Sequence, residues 1–444
     1  MIDFVRSLYL TNRFFTGLAI TAILLIISYI NPTLYRLAIS CFFVFLAIVI
    51  IEILSLYRNK EGITAQRKVA GRLSNGDYND VEIIIHNKYP FGVRLSVIDE
   101  VPEQFQNRDA SWELKMDKNE QRIFQYQLLP VKRGQYHFGK INIYPSCLFH
   151  LVQRKYVFQE SRMIPVYPSY IQMKKYEFAA FTHQLRDYGI KKIRRLGHTL
   201  EFEQIKEYVR GDDPRTINWK ASARANDLMV NSYQDEKSQP VYCIIDKGRL
   251  MRFPFSGMSL LDYAINSTLV LSNIALKKHD KAGILTFSNK LSSIVVANKK
   301  PNQLNKILEA LYHQKTMYRE SNFELLSSYV NSRITQRSLL LCFTNFESYA
   351  SFLRQLPYFV NLSRRHLVVV IFFKNRELAE IIEDNPADTL GIYTQVIAQQ
   401  YESDKFLITK KLHNYGIHSI LTYPEDLTVD TINKYLELKA RGAI

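Results

Sequence analysis

The sequence has no strong catalytic signature. It contains no phosphate-binding P-loop, no Gly-x-Ser-x-Gly nucleophile elbow and no His-Glu-x-x-His zinc motif. Its ten histidines are scattered and form no cluster with cysteine. These absences exclude the best-known arrangements for nucleotide hydrolysis, serine hydrolysis and zinc catalysis. We therefore expect a protein that is not an enzyme.

Cysteine is scarce, with only four in 444 residues. Cys41, Cys147, Cys243 and Cys342 are isolated from one another and lie mostly in apolar runs. This usage is typical of reduced core cysteines in a cytosolic body. The formal net charge is +16, but zinc-finger spacing and an RNA-binding aromatic signature are both missing. We expect no nucleic acid partner, since a basic body also suits an anionic membrane surface.

Two long uncharged runs stand at the N-terminus. Phe14–Ile30 has 17 residues without a charge, and Leu37–Ile51 has 15, with apolar character continuing to Tyr57. As a helix, the first run is about 25 Å long, close to a hydrocarbon core of roughly 30 Å. Asn31-Pro32 is a turn signal between them. The pattern predicts a transmembrane hairpin; the alternatives are a cleaved signal peptide and a buried soluble hairpin.

The basic residues around this hairpin predict its orientation. Arg6 and Arg13 precede the first span, and only Arg36 lies in the turn. Five more follow the second span: Arg58, Lys60, Arg67, Lys68 and Arg72. The positive-inside rule therefore predicts a multi-pass protein of the inner (cytoplasmic) membrane. Both termini and the soluble body are expected to lie in the cytoplasm.

The periodicity divides the chain into four regions. Residues 1–60 form the hairpin, with spans at about 14–30 and 37–57. Residues 61–170 contain short alternating strands with turn residues between them, which predicts an Ig-like β-sandwich. Residues 171–239 hold a linker and a dense motif. Residues 240–444 alternate apolar strands and helices, which predicts a doubly wound α/β domain with a mostly parallel sheet.

The linker region is strongly basic between residues 170 and 200. It is either a solvated connector or a strip that faces phosphate or lipid. Its basic residues are Lys174, Lys175, Arg186, Lys191, Lys192, Arg194 and Arg195.

Residues 206–224 form the dense motif. Gly211 permits a bend, and Asp213 followed by Pro214 is a good helix start. Ile217 and Trp219 are expected to be buried. The local chemistry alone favours a packed connector with charged flanks.

This motif resembles the signature of the bacterial domain-of-unknown-function family fifty-eight. The resemblance is carried by Tyr208, Gly211, Asp212, Arg215, Trp219, Lys220 and Arg224. It implies a C-terminal half similar to von Willebrand factor A domains and a MoxR-type AAA+ ATPase as partner. It also implies a role in assembly of membrane or envelope complexes. We expect the signature residues to contact the partner or to brace the domain.

A metal site of the von Willebrand A type is degenerate in this chain. Such sites begin with Asp-x-Ser-x-Ser, whereas this chain has Asp246, Gly248 and Leu250 in the matching positions. Asn345 follows a later strand where the family often has Asp. These groups are poor ligands for Mg²⁺, so we expect no metal and no other cofactor. Asp246 is expected to pair with Lys247, Arg249 or a helix N-terminus, and this basic rim suits an acidic protein surface.

The sequence therefore predicts a non-enzymatic, membrane-anchored interaction or scaffold protein. It is expected to bind a protein partner, a MoxR-type ATPase above all, as well as other membrane proteins and the bilayer. Two alternatives stay open: anionic-lipid or nucleic-acid binding through the basic segment, and an unrecognised membrane-associated enzyme.

Overall fold

The chain folds into two compact units, Met1–Tyr167 and Pro168–Ile444. The computed structural model describes residues 2–29, 32–106, 111–181, 202–209, 217–225, 227–233, 238–384 and 388–443.

The N-terminal unit begins with apolar helices. Its first elements are helix α1 (Ile2–Ser7), strand β1 (Leu8–Leu10), helix α2 (Asn12–Ser28) and helix α3 (Pro32–Tyr57). The segment Leu34–Tyr57 of α3 has a mean hydropathy of 2.9 and is long and apolar enough to cross a membrane. Helix α2 is also apolar but has only 17 residues. Among the described residues, α3 is thus the one helix that meets the length of a full span.

The rest of this unit is a stack of β-sheets. Buried and exposed residues alternate along its strands, because successive side chains point to opposite faces and one face meets the core. The strands are β2 (Ile63–Val69), β3 (Leu73–Ser74), β4 (Asn79–Asn87), β5 (Val93–Asp99), β6 (Ser111–Met116), β7 (Gln121–Leu128), β8 (Gly134–Phe138), β9 (Ile141–Ser146), β10 (Val152–Arg154), β11 (Tyr156–Phe158) and β12 (Arg162–Tyr167).

Three sheets result from these strands. One has the order β1-β10-β9-β5-β6, with β11 also paired to β9; the others are β2-β4-β7 and β3-β12-β8. Ile83 and Ile85 of β4 share a core with Leu95 and Val97 of β5, so two sheets pack face to face. The N-terminal strand β1 belongs to this β-body, a pairing that the division of the sequence at residue 60 did not anticipate.

A buried ion pair lies beside the turn between β8 and β9. The chain turns at Gly139, and the strands β8 and β9 on either side of it join different sheets. The Arg67 guanidinium donates to the Gly139 carbonyl at 3.2 Å and forms a bidentate pair with Asp99. Both partners of the pair are buried.

The second unit starts with helix α4 (Tyr170–Phe181), strand β13 (Phe202–Glu207), helix α5 (Trp219–Ala225) and strand β14 (Met229–Tyr233). Helix α4 occupies the start of the segment interpreted as a linker. It packs on a later helix through Glu177, which accepts from Asn273 at 2.8 Å and pairs with Lys277. Lys174 and Lys175 lie on α4, whereas the other basic residues of that segment lie outside the described residues.

The remainder of this unit is a three-layer α/β structure. Its strands are β15 (Pro240–Asp246), β16 (Pro254–Phe255), β17 (Met258–Ser259), β18 (Lys281–Phe287), β19 (Leu291–Asn298), β20 (Leu339–Phe343), β21 (Leu367–Phe373) and β22 (His418–Thr422). Its helices are α6 (Leu260–Lys277), α7 (Gln303–Tyr312), α8 (Phe323–Arg333), α9 (Tyr349–Ser363), α10 (Arg376–Glu383), α11 (Thr389–Asn414) and α12 (Leu427–Ala440).

Six of these strands form one sheet in the order β19-β18-β15-β20-β21-β22. All pairs are parallel except β18–β19 at one edge. Alternate residues of the central strands enter two separate cores. Helices α6, α7 and α12 cover one face, and α8, α9 and α11 cover the other. The near-continuous apolar strands of the sequence are explained by this two-sided burial.

Candidate functional site

The strand order creates a switch point at the carboxyl edge of the parallel sheet. From β15 the chain goes first to β18 on one side and later to β20 on the other. Asp246 ends β15, and Thr344 and Asn345 follow β20. Ligands of open α/β sheets bind at such a crevice, so this edge is the first candidate site.

Asp246 is buried at this edge, and donors of the protein itself occupy its oxygens. Its Oδ1 accepts from the Gly248 amide at 2.8 Å and from the Ser321 hydroxyl, and its Oδ2 accepts from Thr344 Oγ1 at 2.7 Å. Burial raises the pKa of Asp246, while these three hydrogen bonds oppose the rise. The carboxylate therefore holds together the ends of several loops.

Of the three partners expected for Asp246, the two basic neighbours Lys247 and Arg249 do not pair with it, whereas the Gly248 amide, at the start of a short 3-10 helix, donates to it. Lys247 is buried, and burial lowers its pKa. Arg249 is half exposed and pairs with Glu347 at 2.8 Å and with Glu320 at 3.5 Å. The expected basic rim is thus neutralised by two glutamates, and nothing in this geometry favours an acidic partner.

The two serine positions of the metal motif, Gly248 and Leu250, have no side-chain oxygen to offer. A Cβ on Gly248 would lie 2.2 Å from Ser321 Oγ, so no serine fits there without displacing a hydrogen-bond partner of Asp246. Leu250 is half-buried in the turn after Gly248. Because Mg²⁺ needs accessible oxygen ligands, these residues do not fit a metal centre of this type.

Asn345 binds an internal ammonium group. Its Oδ1 accepts from Lys405 Nζ at 2.6 Å, and the same Nζ donates to the Phe346 carbonyl at 2.6 Å. Lys405 lies on α11 and is buried, with the rings of Tyr401 and Phe372 close to its Nζ. The sequence analysis missed Lys405, because a lysine among other polar residues of a helix gives no sign of burial.

The burial of Lys405 predicts a pH dependence. Burial lowers the pKa of Lys405 to about 7 from its ordinary 10.5, while Asp404 opposes the shift. Between these values the unfolded chain binds a proton that the folded chain releases. The free energy of unfolding should therefore rise with pH across this window, by about 1 kcal/mol per unit.

Thermal unfolding of the full chain in detergent would measure this rise. A pH range of about 6.5 to 9 covers the lower part of the window between the two pKa values. Lys405→Met should abolish the rise. Lys410→Met, which removes an exposed lysine from the same helix, should keep it. A rise that persists in Lys405→Met would show that another group titrates.

A small cleft of about 70 Å³ opens beside Asp246. Its wall carries Arg249, Glu320, Glu347 and Arg354, so positive and negative side chains alternate around it. The residues lining this cleft include no histidine, cysteine or lysine. The Ser321 hydroxyl among them donates to the buried Asp246 carboxylate, and most of the lining side chains are polar or charged.

The signature motif lies on a small β-hairpin with a short helix. Asn218 caps α5 by accepting from the Ala221 amide at 3.0 Å, and Ser222 accepts from the Met229 amide at 2.9 Å. These two residues brace the hairpin formed by β13 and β14. The helix thus begins after Asn218; the expected cap Asp213, with Pro214, lies outside the described residues.

The signature side chains that the structure describes face outward. Trp219 is 71 % exposed, which corrects the expectation that it is buried. Lys220 and Arg224 on α5 are also exposed, and Tyr208 is half-buried beside β13. Gly211, Asp212 and Arg215 lie outside the described residues. An exposed tryptophan next to two basic residues is typical of a protein-contact surface.

Helix α11 presents a second apolar surface, which the sequence analysis missed. Leu390, Tyr393 and Ile397 recur at i, i+3 and i+7 and are 73, 67 and 53 % exposed. Ile392 and Val396 on the same half of the helix are also at least half exposed. We call these five residues the α11 patch.

Comparison with known proteins gives a family match for less than half of the chain. Residues 204–382 match the family described as "Protein of unknown function DUF58". This region contains the signature motif and the Asp246 edge, in agreement with the resemblance noted in the sequence.

The uncharacterized protein YeaD of Bacillus subtilis (strain 168) is 24 % identical over 213 residues. The alignment covers 46 % of this chain and 53 % of YeaD, so the chain spans about half the length of this relative.

Solved structures match about a quarter of the chain. The CARDB domain of the PF1109 protein from Pyrococcus furiosus is 15 % identical with a TM-score of 0.17, covering 23 % of this chain and 86 % of that domain. The ASH/PapD-like domain of human CEP192 is 10 % identical with a TM-score of 0.18, covering 24 % and 84 %. No functional argument follows from likenesses at this level.

Proposed function

We propose that this chain is a non-enzymatic, membrane-anchored docking protein whose soluble body binds another protein. The α11 patch is the observation that carries this proposal. Five large apolar side chains on one half of a helix are at least half exposed, and a contiguous exposed patch of this kind marks an interaction site. The exposed Trp219 of the signature motif offers a further contact.

The partner proposed is a MoxR-type AAA+ ATPase, as the family resemblance implies. In this proposal the pair assists the assembly or maturation of membrane or envelope complexes. The α/β unit acts as a platform similar to a von Willebrand A domain. Its Asp246 edge is held by hydrogen bonds within the protein in place of an ion.

The anchor is proposed to be a hairpin of α2 and α3 in the inner (cytoplasmic) membrane, with both ends and the soluble body in the cytoplasm. Contact between the helices supports this topology. A Cβ on Gly17 of α2 would lie 2.7 Å from the Phe45 ring of α3, so the helices approach closely at a small residue, as membrane helices do. The apolar side chains that face away from this contact are exposed, which suits lipid.

A binding assay tests the docking function. The full chain would be placed in lipid nanodiscs, and binding of a purified MoxR-type ATPase from the same genome would be measured by biolayer interferometry. Tyr393→Ser with Ile397→Ser, on one stripe of the α11 patch, should weaken binding by at least about tenfold, since apolar anchors dominate interface energy. Both residues are exposed, so the melting temperature should not change.

Val296→Ser is the matched control. Val296 is an exposed apolar residue of edge strand β19 in the same unit, and its replacement should leave binding unchanged. Equal binding by the double variant and the wild type would contradict the α11 patch as the docking surface. Turnover of a small molecule by the chain alone would contradict the non-enzymatic function.

A further inference from the structure

The loop between β9 and β10 exposes large apolar side chains. Leu148 is 82 % exposed and Phe149 is 52 % exposed. Their neighbours Cys147 and Leu151 point the other way, into the core of the sandwich. One side of the loop is therefore part of the protein core, and the other side is apolar and exposed.

Both apolar helices hold this loop in place. Glu52 of α3 accepts from the Phe149 amide at 2.9 Å, from the Leu151 amide at 3.0 Å and from the Val152 amide at 3.2 Å. Thr11, the N-cap of α2, donates from Oγ1 to the carbonyls of His150 at 2.5 Å and Leu151 at 3.1 Å. The loop is thus clamped between the start of α2 and the last turns of α3.

The clamp sets the depth of the loop. The uncharged residues Leu37–Ile51 of α3, between Arg36 and Glu52, would span about 22 Å as a helix, which is most of the roughly 30 Å thickness of a hydrocarbon core. Glu52, the first charged residue after this segment, then lies at the edge of that core. Leu148 and Phe149, fixed at the level of Glu52, lie at the same boundary.

The surroundings of the loop suit a membrane surface. Arg13 is exposed at the start of α2. Lys155 lies beside Tyr9, with its Nζ 5.9 Å from the ring centroid, and Tyr9 is itself exposed. Basic and aromatic residues are enriched where a membrane protein meets lipid headgroups.

We propose that Leu148 and Phe149 insert into the headgroup–acyl boundary of the bilayer beside α2 and α3. The loop is then a second membrane contact of the N-terminal unit, and through Glu52 and Thr11 it fixes the sandwich against the membrane surface. This inference rests on the membrane anchor of the proposed function. The occupant of the apolar loop surface is lipid, because Glu52 and Thr11 hold the loop directly beside the ends of the two apolar helices.

Tryptophan quenching by brominated lipids tests this placement. The chain has two tryptophans, so Trp112→Phe with Trp219→Phe gives a background without them. Three single reporters are then compared in proteoliposomes: Leu148→Trp in the loop, Phe43→Trp in the exposed middle of α3, and Ile123→Trp on an exposed sheet face. Phe149→Trp is a second loop reporter in case Leu148→Trp folds poorly.

The expected result is depth-dependent. Phe43→Trp should be quenched best by bromines deep in the acyl chain, and Leu148→Trp by bromines near the headgroup, at least about threefold more strongly than Ile123→Trp. If Phe43→Trp is unquenched, the anchor itself fails. If Phe43→Trp is quenched but the loop reporters behave like Ile123→Trp, the loop proposal alone fails. Loop reporters shielded from both lipid bromines and aqueous acrylamide would show a protein cover and would also overturn it.

Discussion

Replacement of Glu52 by leucine should destabilise the N-terminal unit by about 3 kcal/mol, because it leaves buried backbone donors without a partner. The amides of Phe149, Leu151 and Val152 all donate to the Glu52 carboxylate, which is itself buried. Leucine offers no acceptor. Helix α3 would stay apolar and anchored, so the loss should appear in the loop and in the strand β10 that follows.

Hydrogen exchange of the full chain in detergent measures this effect at the residues concerned. The three amides should lose about 100-fold in protection, the equivalent of 3 kcal/mol. Glu61→Leu is the matched control, since the Glu61 side chain is exposed and its ion pair with the Lys88 ammonium is 3.6 Å long. This replacement should change the free energy of protection by less than about 0.5 kcal/mol. Unchanged exchange in Glu52→Leu would contradict the clamp.

Replacement of Arg67 by methionine should cost about 3–5 kcal/mol, the largest effect expected in the chain, because it leaves a buried carboxylate unpaired. Arg67 pairs with Asp99 through two nitrogens and also donates to the carbonyls of Gly139 and Glu160. The side chains of Arg67 and Asp99 are 2 and 0 % exposed. Methionine fills part of the space but satisfies none of these acceptors.

The melting temperature of the N-terminal unit checks the effect. Lys68→Met is the matched control, because Lys68 is the next residue on the same strand and its 3.4 Å pair with Glu82 is exposed. Such surface pairs contribute about 0–1 kcal/mol. Arg67→Met combined with Asp99→Leu should recover much of the loss, since an apolar replacement of both partners leaves no charge buried. A loss in Arg67→Met no larger than that in Lys68→Met would contradict this account.

The sequence predicted the parallel sheet well because burial on both faces leaves a direct mark. The runs Val241–Ile245 and Leu367–Phe373 are apolar, apart from the Tyr242 hydroxyl, and the structure places both in strands that have a neighbour on each side. The position of Asp246 at the end of its strand followed from the same pattern. Its hydrogen-bond partners did not, because Ser321 and Thr344 are 75 and 98 residues away in the chain.

The predictions that failed have a common physical cause. A sequence pattern shows local periodicity, but it does not show which residues meet in the folded protein. Trp219 was expected to be buried on its chemistry, yet its helix is too short to present a covered face. Lys405 is buried because the acceptors of Asn345 and Phe346 lie opposite it. The Gly139 carbonyl accepts from the guanidinium of Arg67, which lies 72 residues earlier in the chain.

We propose that the soluble body of a membrane-anchored chain binds a protein without the help of an ion. The most direct measurement is the affinity of the wild-type chain in nanodiscs for the nucleotide-free MoxR-type ATPase, determined with Mg²⁺ and again with EDTA. Because protein donors already occupy the oxygens of Asp246, the account predicts saturable binding with dissociation constants that agree within about twofold. Absence of binding, or binding that EDTA abolishes and Mg²⁺ restores, would contradict it.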